Sequence, residues 1–99
     1  MSFADLIAAD IRLAVLQILA QDPGYGANEM VLRQALAALG HHVSRERLRT
    51  DLSWLAEQSL VALTDVSGVV VARLTGRGED AAGGRAVVPG VRRPGPEEC

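Results

Sequence analysis

Only four residues, Gly40-His41-His42-Val43, separate two stretches whose apolar residues recur at helical spacing. The first stretch carries Val31, Leu32, Ala35, Leu36 and Leu39 as an expected inner face, and the second carries Leu48, Leu52 and Leu55. So short a connection makes the two helices meet at a corner, and each then needs a further element to cover its apolar side. Asn28 is placed to cap the first helix, which is expected to run to Leu39, and Gly40 supplies a left-handed exit. Ser44 is placed to cap the second, although Arg47 stands where a capping box would have Glu.

Upstream, residues 2–21 read as a helix stopped by Asp22-Pro23-Gly24. Its apolar residues do not form one stripe. Phe3, Ile7, Ile11, Ala14 and Ile18 lie on one side, while Leu6, Leu13, Leu16 and Leu19 spread around the rest. That is more apolar surface than a small core is expected to cover, so the helix is read as the contact of a homodimer. Downstream, residues 60–65 and 69–74 have strand character and flank Val66-Ser67-Gly68, a hairpin signal. Thr75 is placed to cap a short helix reaching about Ala82. From Gly83 onward Gly, Arg, Pro89, Pro94 and Pro96 read as an extended arm. The sum is a mainly α chain with a small β-hairpin: a winged helix-turn-helix of three helices, a two-stranded wing and a short C-terminal helix. The expected division is residues 1–83 for the domain and 84–99 for the arm.

Composition removes several classes of function. Ninety-nine residues support one core, and 3% aromatic content means that core is aliphatic. The net charge is −2 and all ten cations are Arg, so nucleic acid would have to be met by a local patch rather than by bulk charge. The single Cys99 cannot close an internal disulfide, and no Cys/His spacing matches a zinc site; adjacent His41 and His42 chelate poorly alone. Gly24-Tyr25-Gly26 is too short for a phosphate loop, and Ser44 beside histidines is a cap, not a nucleophile. The expectation is no enzyme activity, no cofactor and no metal. Asp5 and Asp10 interrupt the first apolar stretch, against a signal peptide, and the run at residues 13–20 is too short to span a membrane. A cytoplasmic protein with no membrane partner is expected.

Residues 43–61 carry the chemistry. The order Val-Ser, then Asp51-Leu52, Leu55 and Leu60-Val61 resembles the recognition-helix signature of bacterial winged-helix repressors of the DeoR and ArsR types, with Ser59 where that pattern has Gly. The DNA-binding candidates are Ser44, Arg45, Arg47, Arg49, Thr50 and Ser53. Arg45 and Arg49, four residues apart, can bracket a phosphate or reach a guanine edge. The helix also presents Glu46 and Glu57, which offset its cations, and the wing tip Asp65-Val66-Ser67-Gly68 holds no cation at all. Little DNA contact is therefore expected from the wing. Arg92 and Arg93 are candidate arm contacts, their charge partly cancelled by Glu97-Glu98. Over most of its length the chain is similar to a family of short, ArsR-like proteins of Mu-like bacteriophages and prophages. Residues 32–36, Gly40-His41, residues 43–60, Leu74-Thr75, Arg77-Gly78, Gly84-Arg85 and residues 88–94 carry that likeness. It implies a phage or prophage transcriptional regulator acting on double-stranded DNA in the bacterial cytoplasm. The alternative is an adaptor that binds a phage protein during assembly or DNA packaging.

Overall fold

The computed structural model describes residues 1–96; the expectations for Glu97, Glu98 and Cys99 lie outside them. Helix α1 (Phe3–Gln21) starts in a capping box, with Ser2 Oγ accepting from the Asp5 amide and Asp5 accepting from the Ser2 amide. It ends at Asp22, whose carboxylate accepts from the amides of Gly24 and Gly26. Strand β1 (Gly26–Asn28) leads directly into α2 (Glu29–Ala38), capped by Asn28. Helix α3 (Arg45–Glu57) is capped by Ser44 and followed by β2 (Val61–Val66), β3 (Val69–Leu74) and α4 (Gly76–Ala82), the last capped by Thr75.

The two helix exits beside the turn and the wing have the same construction. After α2, Gly40 takes φ +91° and the His41 amide donates back to Leu36 O at 2.8 Å. After α3, Ser59 takes φ +62° and the Leu60 amide donates to Leu55 O at 2.9 Å. Both are Schellman ends, and Ser59 occupies a left-handed position that favours Gly. Ser67 and Gly68, both at positive φ, close the β2–β3 hairpin in the sense that suits strand twist.

Four expectations change. The wing is not two-stranded: β1 adds to it through Gly26–Arg73, Ala27–Ala72 and Asn28–Val71 pairing, in the antiparallel order β1-β3-β2. The inner face of α2 is narrower than expected, with Leu32 and Leu36 buried but Val31 and Leu39 49% and 60% exposed. The excess apolar surface of α1 is mostly consumed within the monomer. Leu13, Val15, Leu16 and Leu19 are all fully buried, because α1 is covered by α2, α3, β3 and α4 together. Only its first turns stay open, at Phe3 and Leu6.

Residues 84–93 pack back onto the domain instead of extending from it. Val88 is buried in the common core, Gly90 sits against the Trp54 ring, and Arg12 donates to Gly90 O at 3.0 Å. The amides of Gly84, Arg85 and Ala86 donate back to α4, and the Arg92 amide donates to Ala9 O, so the segment leaves α4 and reaches α1 at residues 90–92. Proline and glycine shape this segment without detaching it.

Candidate nucleic-acid interface

Helix α3 presents a continuous outer face of Glu46, Thr50, Ser53 and Glu57, all exposed, flanked by three arginines. An open depression of about 400 Å³ runs between Arg49, Thr50, Ser53, Trp54 and Glu57. Ser44 Oγ is engaged by the Arg47 amide at 3.0 Å, and Thr50 Oγ1 donates to Glu46 O at 3.0 Å. Ser53 Oγ stands open on the same face.

The arginines are built in from below. Glu29, first residue of α2, is a 2% exposed carboxylate lying just under the surface beneath Arg45 and Arg49. Its Oε1 accepts from Arg45 Nε at 3.0 Å and from Arg49 Nε at 2.8 Å. Its Oε2 accepts from Arg49 Nη2 at 2.8 Å and from the Val70 amide of β3 at 2.6 Å. The wing closes the cluster: Gly68 O accepts from Arg45 Nη2 at 3.0 Å and Arg49 Nη2 at 2.9 Å. Hydrogen bonding from Arg49, then from the Val70 amide and Arg45, outweighs burial and pulls the Glu29 carboxyl down to about 2. The Arg49 guanidinium is raised in turn by its Glu29 partner.

Arg47 belongs to a different unit. It donates to Asp51 Oδ2 at 3.0 Å, and the other oxygen of that buried carboxylate faces Arg12 Nε at 3.4 Å. Arg12 in turn lies 4.1 Å from the centre of the Trp54 ring. Thus the neutral count of charges along α3 hides a layering. Of the α3 acids only Asp51 lies inside, beside Glu29 of α2, while Glu46 and Glu57 share the outer face with Arg45, Arg47 and Arg49, which keep 50%, 43% and 39% of their side-chain surface.

The arm arginines are not part of this face. Arg92 Nε donates to Asp10 Oδ1 at 2.5 Å, and His41 Nε2 lies 2.8 Å from Asp10 Oδ2. Burial raises the Asp10 carboxyl, but hydrogen bonds from Arg92 and His41 outweigh it and leave it lowered. Asp10 therefore joins α1 to the helix-helix turn and to the C-terminal segment. Arg93 is exposed beyond it. Sequence reasoning missed Glu29. An acid at the start of a helix reads as a favourable dipole contact, and its partners lie 16 and 20 residues away. The bare wing was a correct observation, yet the structure brings cations to its tip from α3.

A helix-turn-helix followed by an antiparallel wing defines a winged-helix-like fold. A solved complex of the protein hsRosR-S1 shares it at TM-score 0.65 and 19% identity, over 79% of this chain and 69% of that one. By sequence the chain is 47% identical over 92 residues to gp26 of Escherichia phage Mu, covering 93% of this chain and 95% of gp26. It is 45% identical over 78 residues to a protein of Haemophilus influenzae, covering 78% and 76% of the two chains. The chain belongs to the family of phage Mu gp26. No family model matches it. Among the described residues, no helix is long and apolar enough to cross a membrane. Nor does any group of three or more His, Cys, Asp or Glu among them have metal-binding proximity.

Proposed function

We propose that this protein is a phage DNA-binding regulator, with no enzymatic role, that lays α3 in the major groove of duplex DNA. One observation carries the reading: Arg45 and Arg49 are gathered at the junction of α3 and the wing, beside open Thr50 and Ser53. The likeness to the winged-helix-like hsRosR-S1 complex supports it. Arginines set on buried counter-charges keep exposed N–H groups for phosphate, and the short hydroxyl side chains between them suit base edges. Arg47 lies on the far flank and Ser44 serves mainly as the cap. The protein acts as a homodimer through the open first turns of α1, on sites whose half-sites are one helical turn, ~34 Å, apart.

The test is fluorescence anisotropy with duplex DNA flanking the gene, at low and physiological salt. The variant for comparison is Thr50→Glu/Ser53→Glu, which places two acids on the face and leaves the Glu29 cluster alone. Salt-dependent binding by the native protein, weakened at least about tenfold in the variant, supports the reading. Equal binding by the two proteins would remove α3 as the reading head.

A second reading, an adaptor for a phage protein, has its own observation. Met1, Leu6, Ala9 and Val91 line a groove of about 590 Å³ between the start of α1 and the C-terminal segment, whose further lining residues Arg12 and Gly90 contact Trp54 of α3. Binding of a phage assembly protein that is lost in Leu6→Glu, with no DNA binding by either form, would favour it.

A further inference from the structure

Arg45 and Arg49 share their acceptors atom for atom. Both Nε groups donate to Glu29 Oε1, and both Nη2 groups donate to Gly68 O. Two like charges are thereby held side by side by a single carboxylate and a single carbonyl, leaving one net positive charge. The protons that remain are specific. Arg49 has used Nε and both protons of Nη2, since that nitrogen donates to Glu29 Oε2 as well as to Gly68 O. Only its Nη1 is left, so Arg49 has lost the two-nitrogen fork that reads the O6 and N7 edge of guanine. Arg45 keeps Nη1 and one Nη2 proton. The end-on pair of nitrogens left on Arg45 and the single Nη1 left on Arg49, held side by side by the same acceptors, together suit the tetrahedral oxygens of one phosphate.

We propose that Glu29 is the positioning residue of a phosphate clamp. It holds Arg45 and Arg49 as one rigid unit, with the wing-tip carbonyl as its second anchor, and that unit takes a backbone phosphodiester of duplex DNA rather than a base. The proposal rests on the DNA-binding reading and adds the ligand group and the residue that orients its receptors. It has a consequence that charge alone reverses. Glu29→Gln adds one positive charge to the face, which by electrostatics tightens DNA binding. Loss of the ionic anchor instead lets both guanidiniums swing and weakens it.

The experiment measures the dissociation constant for one duplex across a salt series, with the native protein, Glu29→Gln and Arg49→Lys, the fold of each checked by circular dichroism. Arg49→Lys keeps the charge and loses the fork that grips Glu29. Both variants are expected to bind about tenfold more weakly, as for a lost charged hydrogen bond. Glu29→Gln is expected to retain the native slope of log K against log salt, because both cations remain. Native-like or tighter binding by folded Glu29→Gln overturns the proposal while leaving the DNA reading intact. If Glu29→Gln does not fold, Arg49→Lys decides: a tenfold loss supports the clamp, and native affinity overturns it. If the native protein binds no duplex at low salt, the DNA reading fails and the clamp with it.

Discussion

At the scale of single residues, the site and the core depend on side chains with no room to change. Gly78 is the tightest case. A Cβ there would stand 2.0 Å from Leu60 O and 2.7 Å from Leu74 Cδ1, so α4 packs on the strand start only because this residue has no side chain. Gly78→Ala is expected to cost on the order of 3 kcal/mol in urea unfolding, the upper range for overpacking; a neutral result would mean α4 can shift freely. Leu52, fully buried in the hydrophobic core, is expected to cost about 2–5 kcal/mol on truncation to Ala, measured the same way. Glu29 makes the acid side of the stability curve informative. Its carboxyl, ordinarily near 4.5, lies at about 2 in the folded chain, so the unfolded chain binds the proton more readily. The stability it contributes is complete above about pH 4.5 and is lost as pH falls towards 2. Glu29→Gln is therefore expected to flatten the dependence of Tm on pH in that window, and an unchanged profile would place the acid sensitivity elsewhere.

At the scale of elements, the helices were legible because their ends are written in the sequence. Ser2, Asn28, Ser44 and Thr75 each cap the helix that follows, and Gly40 turns the chain out of α2. Other features lacked a local signature. Strand β1 is three residues long and is defined by its pairing to β3, over forty residues away, which no alternation within Gly26-Ala27-Asn28 announces. Val31 and Leu39 fit the helical period but fall at the margins of the stripe that α1 covers. The outer face of α3 followed directly from its buried face. Its organising carboxylate did not, because a cluster assembled from α2, α3 and β3 has no spacing to read. The C-terminal segment teaches the same lesson: its composition resembles a linker, while Val88 is buried in the core and Gly90 and Arg92 have fixed partners on α1 and α3. Truncation after Gly83 is accordingly expected to lower Tm by several degrees, since it uncovers apolar surface around Val88 and removes the Arg92–Asp10 bond. An unchanged Tm would restore the picture of an independent arm.

At the scale of the whole molecule, the two ends of α1 have different fates. Its C-terminal half is enclosed by the domain, whereas Met1, Phe3 and Leu6 remain 96%, 78% and 52% exposed. The winged-helix face lies on α3 and the wing, so a two-fold contact through the open end of α1 would leave both α3 helices available to one duplex. Self-association and DNA affinity are then coupled, because a dimer engages two half-sites while a monomer engages one. Phe3→Glu/Leu6→Glu is expected to sediment as a monomer at concentrations where the native chain is dimeric. It should retain its Tm at high dilution, since neither side chain contributes to the core, and lose preference for a palindromic duplex over a single half-site. Monomeric behaviour of the native chain throughout would assign this apolar end to a different partner, and the two α3 faces would then act singly. Retained palindrome preference in a monomeric variant would separate dimerisation from DNA reading altogether.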